Sequence, residues 1–463
     1  MARTEKDLIG RQREQAELDR VLAGVHQGRG GIILLAGEAG VGKTRLATDC
    51  LARSGLLTLA GPTSEQATPP YGPVSAALRA YLRYRPDSIT KFGPLAQFLA
   101  LLLPELGLPP DKGNRQTLVE AIHCAFEAIG REEPAAFFLD DLQWADNATL
   151  ELLPQLASCF TAEPMLIIGT YRSDEIPRGH PVRRLRNDLR RARLLQEIMI
   201  EPLSQEETIG LAARILGHYP GPALAAALYE RTEGLPLFVE EMAHALTTTG
   251  KLQHSQVGLE LEPSVEMPLP DTLRDAVLLQ LDRLANPSLM LLEIASVIGQ
   301  TFDLKLLTRL AGTDTGLDDL MERGLIMESE GGSAGFRHAL THEAVYKDIS
   351  WTRRRNLHRQ VAAFLVEDGA HPSTIAIHWS AAQETERTRI TLVEACFISC
   401  KVHAYQDAAA AARQALNLWP AGVDERQRLE LLDQLGHCAH LCGMLAEASM
   451  AWRDAAAGWH QKG

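Results

Sequence analysis

Two regimes of apolar patterning divide the chain. Through about residue 200, short apolar runs at Ile32 to Ala36, Leu56 to Leu59, Ala135 to Leu139 and Met165 to Gly169 alternate with amphipathic stretches of about ten to twenty residues. A short apolar run bounded by Gly, Pro or Asp reads as a strand buried on both faces. Strands that alternate with helices imply a parallel sheet with crossover helices.

From Leu203 to Thr249 the strand pattern ends, and Ser204 followed by Glu207 forms a capping box that opens a helix, so this stretch reads as an all-helical lid. The stretch 251–270 carries three prolines and reads as a linker, with helices resuming at Asp271. Between Pro287 and Asp348 the expected order is three short helices, a strand at Leu325 to Met327, a turn at Gly331 and Gly332, and a strand leading to Phe336. That is the order of a winged helix. Beyond Pro372 only helices are expected. There Ala408 and Ala415 recur as Ala448 and Ala455, with Leu435, Gly436 and Trp452 at tetratricopeptide offsets, which gives two degenerate helical-hairpin repeats. Two are fewer than such arrays need for independent stability, so either the repeats lean on the preceding domain or, the favoured expectation, the chain has been cut short at Gly463.

Composition changes this picture little. With 463 residues, 46% hydrophobic and 5% aromatic, the chain should form several Leu- and Ala-rich modules. Its formal net charge of -13 argues against DNA or anionic membranes as a general partner and confines any DNA contact to a segment absent here. No signal peptide or membrane span is visible, so a cytoplasmic location with no membrane contact is expected. The seven cysteines read as reduced thiols, and those at Cys396, Cys400, Cys438 and Cys442 as small residues in helix packing. Basic runs at Arg183 to Arg193 and Arg353 to Arg359 read as solvated or internally paired helix faces.

The chemistry concentrates in Gly37, Glu38, Ala39, Gly40, Val41, Gly42, Lys43 and Thr44, a complete Walker A motif between a strand and a helix, with Arg45 directly behind it. Glycines let backbone N–H groups wrap phosphates, and the helix N-terminus adds its dipole. Lys43 would reach the β- and γ-phosphates, and the Thr44 hydroxyl would ligate Mg²⁺. Asp140 and Asp141 follow the third strand as a Walker B pair. Asp140 would hold Mg²⁺, and Asp141 would orient the attacking water. Arg172, at the end of the fourth strand, is either a γ-phosphate sensor or a plain strand-closing surface residue. ATP, ADP and Mg²⁺ are therefore the expected ligands.

The segments DLIGRQREQAEL, GEAGVGKT, FFLDDLQWAD, IIGTYR, EGLPLFVEEM, DTLRDAVLLQLDRL and GFRHALTHEAVY together resemble the STAND ATPases, in particular those of large bacterial LuxR-type, MalT-like transcriptional regulators. The resemblance implies an α/β P-loop NTPase domain (1–200), a helical lid with linker (201–270), a winged helix (271–370) and TPR-like repeats (371–463). It further implies that Ile9, Gly10 and Arg11 meet the adenine and ribose, that Gly234 and Pro236 close over the base, and that His338 touches the β-phosphate of ADP. Such a protein would be a slowly hydrolysing switch. An inducer or protein signal would act at the repeats, and self-association would follow the nucleotide. A replication-type ATPase acting on DNA, or the regulatory half of a cyclase or kinase, are the other readings; the acidic helix containing Asp318, Asp319 and Glu322 speaks against the first.

Overall fold

The computed structural model describes residues 8–63, 69–249, 252–255, 258–261, 277–278, 281, 284–329 and 332–462. The expected resumption of helix at Asp271 and the turn glycine Gly331 lie outside the described residues.

The first module is a five-stranded parallel sheet. In chain order its elements are α1 (Gln12–Val25), β1 (Gly31–Gly37), α2 (Lys43–Ser54), β2 (Leu57–Gly61), α3 (Gly72–Tyr84), α4 (Arg115–Glu132), β3 (Ala135–Leu139), α5 (Asn147–Cys159), β4 (Met165–Arg172), α6 (Pro181–Arg191) and β5 (Gln196–Met199). The sheet order is β2-β3-β4-β1-β5, all parallel. Strand periodicity divides the core in two. Ile32, Leu34 and Ala36 of β1 pack with α3 to α6, while Ile33 and Leu35 face α1 and α2. Each of the buried Ile and Leu side chains contributes about 1.5–3 kcal/mol relative to exposure. Helices therefore cover both faces, and the strand ends carry the P-loop, the Asp140–Asp141 pair and Arg172 side by side: Gly37 sits in register with Arg172, and Leu139 with Gly169. The expected strands are all present. The additional edge strand β5 was not expected, because Gln196 and Met199 are exposed and its pattern is polar.

Leu203 begins a helical subdomain of α7 (Gln205–Leu216), α8 (Pro222–Thr232) and α9 (Pro236–Thr249). The Ser204–Glu207 capping box forms in full, which stabilises such a helix end by about 1 kcal/mol. The supposed linker instead contains a β-hairpin, β6 (Leu252–Ser255) and β7 (Gly258–Leu261). Leu259 is buried in the lid core and exchanges backbone hydrogen bonds with Tyr219 and Gly221, so burial of one residue ties the hairpin down.

The third module runs through α10 (Asn286–Ile298), β8 (Thr301–Asp303), α11 (Leu304–Ala311), α12 (Leu317–Glu322), β9 (Ile326–Ser329), β10 (Ser333–Phe336) and α13 (Ala339–Asp348). Its sheet order is β8-β10-β9, antiparallel. The helix–helix–helix–strand–strand order expected from the sequence is present, with the three-residue β8 added.

Six further helices follow among the described residues: α14 (Trp351–Glu367), α15 (Pro372–Ala381), α16 (Thr385–Lys401), α17 (Tyr405–Asn417), α18 (Glu425–Leu441) and α19 (Leu445–Lys462). The bounds of α16 recur forty residues later in α18, and the start of α17 recurs in α19. Ala408, Ala415, Ala448 and Ala455 are all buried at the hairpin contacts. Gly436 is required for close approach: a Cβ there would lie 2.5 Å from the Trp452 indole nitrogen. Cys396 and Cys438 are buried in this core, as small thiols in helix packing should be.

Candidate functional site

The loop between β1 and α2 turns through Gly40 (φ 78°) and Gly42 (φ 98°), both in the left-handed region that side chains avoid. Lys43 is buried, and its ammonium donates to the Gly37 and Glu38 carbonyls at 3.0 and 2.8 Å. Burial pulls its pKa down, and the nearby Asp141 opposes that shift. Thr44 Oγ1 donates to the Asp140 carboxylate at 2.8 Å, and Thr170 Oγ1 donates to the same group at 2.6 Å. Burial and the charge of Asp141 push the Asp140 carboxyl above its usual range. A crowded carboxylate pair beside a hydroxyl is a donor set that fits a hard divalent cation, which would relieve the repulsion.

Asp141 adopts a left-handed backbone (φ 53°, ψ 56°), a conformation that costs a non-glycine residue of order 1–3 kcal/mol. Its N–H donates to Thr170 Oγ1 at 2.8 Å, and the Thr63 hydroxyl donates to the Asp140 and Asp141 carbonyls at 2.5 and 3.1 Å. These bonds over-determine the turn. Arg172 is buried rather than a surface residue: its guanidinium lies 3.6 Å from Asp141, pairs with Glu175 at 2.5 Å, and rests 4.6 Å over the Trp144 ring.

Gly40, Gly42, Lys43, Thr44, Arg45, Asp140, Asp141 and Arg172 line one cavity of ≈ 440 Å³. Its other wall comes from the lid (Pro236, Leu237 and Glu240) and from the third module (Arg337, His338 and Leu340). A second cavity of ≈ 220 Å³ shares Gly42, Arg45, Pro236, Glu240 and Arg337 with it and is completed by Ile9, Arg11 and Val41. Arg11 is buried, and its guanidinium donates to the Val41 carbonyl at 3.2 Å.

Gly10 and Gly234, expected at the base, line neither cavity. Gly10 packs beneath Glu207, where a Cβ would come within 2.4 Å of Oε1. Gly234 (φ 76°) accepts the Leu203 N–H at 2.8 Å, and a Cβ there would sit 2.1 Å from the Leu203 carbonyl. It lies in the turn between α8 and α9, where close backbone contact with Leu203 leaves no room for a side chain. Gly37, Glu38 and Ala39 do not line either cavity; the first two supply the carbonyls that hold Lys43.

His338 opens α13 and lies 4.0 Å from Glu240, which also pairs with Arg45 at 2.9 Å. Burial lowers its pKa to about 4, so it is neutral near pH 7. His342, one turn on, points away and bonds to the Ser296 carbonyl at 2.8 Å inside the third-module core. The sequence reading missed Thr63, Thr170 and Glu240. Thr170 carried a usable signal, a polar residue in an otherwise apolar strand next to Arg172.

Residues 7–168 match the family model of the AAA ATPase domain. An uncharacterised protein of Rhizobium meliloti strain 1021 is 24% identical over 96% of this chain, and the chain spans 43% of that relative's length. Among solved structures, the fold is similar to a Signal Transduction ATPase with Numerous Domains (STAND) protein with a tetratricopeptide repeat sensor from Pyrococcus horikoshii. The TM-score is 0.52 at 16% identity, over 98% of this chain and 65% of that one. The Orc1 protein of Aeropyrum pernix in complex with DNA aligns over 74% of this chain and 93% of that one at 17% identity, but at a TM-score of 0.33 this likeness carries no argument. Among the described residues no helix is long and apolar enough to cross a membrane.

Proposed function

We propose that the chain is a STAND-class P-loop ATPase and a slowly turning nucleotide switch in which ADP holds a closed arrangement of sheet module, lid and third module. One observation carries this reading: the phosphate cavity is walled by three modules at once, so a nucleotide there contacts groups that separate on opening. A ligand shifts a conformational equilibrium only by its difference in affinity for the two states. Pro236, Glu240, Arg337 and His338 are the groups through which that difference would arise.

In this proposal Ile9, Arg11 and Pro236 bound the base, and Lys43 trades its two loop carbonyls for the β- and γ-phosphates. Thr44 and Asp140 would hold Mg²⁺, which supplies charge neutralisation at the terminal phosphates when bound. Asp141 polarises the attacking water, and Arg172 reads the γ-phosphate from β4, already carried to the site by Asp141 and Trp144. The third module is a winged helix used for packing and nucleotide sensing, and the last helices are tetratricopeptide-like repeats that receive the signal. Self-association in the ATP state, a cytoplasmic site of action and a role within a transcriptional regulator complete the proposal.

The test is ADP release. His338→Ala should release ADP about five- to thirtyfold faster, corresponding to about 1–2 kcal/mol of lost coupling. His342→Ala removes a buried hydrogen bond, so it should lower thermal stability and leave release within about twofold. Equal release from wild type and His338→Ala would refute the histidine clamp.

A further inference from the structure

The helical repeats touch the ATPase module at a point that the nucleotide cavity does not use. Asp407, in the first turn of α17, is half-buried against the N-terminus of α5. Its carboxylate accepts the Asn147 and Ala148 N–H groups at 3.2 and 3.1 Å and the Asn147 side-chain amide at 2.9 Å. The N-cap of α5, Asp146, accepts the Thr149 N–H at 2.8 Å, the Thr149 hydroxyl at 2.7 Å and the Tyr71 N–H at 2.8 Å. A helix N-terminus leaves its first N–H groups without intrahelical partners, and here carboxylates from two modules divide them. Burial pushes both carboxyls up, with the charge of Asp407 adding to the shift at Asp146. The contact is also anchored apolarly: Ala404, just ahead of α17, is part of the sheet-module core, with Val402 packed against it.

The N-terminus of α5 is tied to the ATPase site by a segment with no slack. From Asp141 the chain makes one tight turn, with Trp144 N–H bonded to the Asp141 carbonyl at 2.9 Å and Ala145 N–H to that of Leu142 at 3.1 Å. Gln143 Oε1 accepts the Arg172 N–H at 3.2 Å, and the Trp144 ring carries the Arg172 guanidinium. A displacement of Asn147 therefore moves the side chains that set Asp141 and Arg172.

We propose that Asp407 is a positioning residue for the ATPase site: by capping α5 from the repeats it holds the segment from Asp141 to Asp146 in its resting geometry, and undocking of α17 transmits an event at the repeats to the nucleotide. This deepens the switch proposed above and rests on it. It differs from the His338 contact in that Asp407 lines neither cavity.

The experiment compares ADP release, followed by stopped-flow with a fluorescent ADP, and amide hydrogen exchange at Asn147 and Ala148 in the full chain. Asp407→Ala should release ADP about five- to tenfold faster and exchange these amides faster, while Asp407→Asn, which keeps one acceptor oxygen, should fall between it and wild type. Should Asp407→Ala not fold, Asn147→Ala carries the test, with a release about two- to threefold faster expected from the loss of one donor. Faster exchange with wild-type release would show a contact that does not reach the site and would overturn the proposal. If His338→Ala accelerates release and Asp407→Ala does not, the switch stands and the repeat-borne cap falls. If neither does, both fall.

Discussion

The floor and the roof of the nucleotide cavity are held by different physics. The floor is one sheet module, where Lys43, Thr44, Asp140, Asp141 and Thr170 are locked by short hydrogen bonds across adjacent parallel strands. The roof comes from two further modules and rests on a few polar contacts, Glu240 with Arg45 and His338 above all. The floor is preorganised for phosphate and has little to gain by moving. The roof can leave at the cost of a handful of contacts, which is what a switch requires.

Substitutions should therefore separate into two kinds. The largest effect falls on the floor chemistry: Asp141→Asn keeps shape and loses the carboxylate, so single-turnover hydrolysis should drop about a hundredfold with ATP still bound. Turnover equal to wild type would remove Asp141 from the reaction. Lys43→Ala should weaken ATP affinity about tenfold or more by calorimetry; unchanged affinity would erase the distinction between floor and roof. On the roof, Glu240→Gln should accelerate ADP release about fivefold while ATP affinity stays within about twofold. Equal losses of affinity for both nucleotides would make Glu240 part of the floor.

The smallest effects are pH-linked and oppose one another. His358 and His378 meet Nδ1 to Nδ1 at 2.9 Å between α14 and α15, and burial lowers them to about 4 and about 3. Their folded pKa values lie below the unfolded value, so stability present above about pH 6.5 is lost as pH falls toward 4. Asp146 and Asp407 are raised, so their contribution is greatest at low pH and is lost as pH rises through their folded values. Thermal melts should show His378→Gln reducing by a few degrees the loss of stability as pH falls from about 6.5 to 4, and Asp146→Asn reducing by less the opposing loss as pH rises from about 4 to 7. Melting curves that shift in parallel at all pH values would exclude both linkages.

Much of the floor was legible in the sequence because its parts are local. An apolar strand, a glycine loop and a helix start are contiguous, and each carries its own pattern. Asp140 and Asp141 follow their strand directly. Thr63 was not legible, because it reaches the pair from 77 residues away, while Thr170, 30 residues away, showed itself only as a polar residue in an apolar strand. Distance along the chain hid Asp407 more completely, 260 residues from Asn147. Short polar strands escaped for another reason: β5, β6 and β8 bury too few side chains to show a period of two. Gly234 and Gly10 were picked out as glycines that matter, and packing adds a reason of its own: neither position has room for a Cβ.

The central claim is that ADP closes the roof over the floor and ATP lets it leave. Small-angle X-ray scattering in line with size exclusion, on the Asp141→Asn chain at monomeric concentration, measures this directly. The account predicts a compact profile with ADP and a larger radius of gyration with Mg²⁺·ATP, the difference vanishing in Lys43→Ala. Superimposable ADP and ATP profiles from protein shown to bind both nucleotides would contradict it.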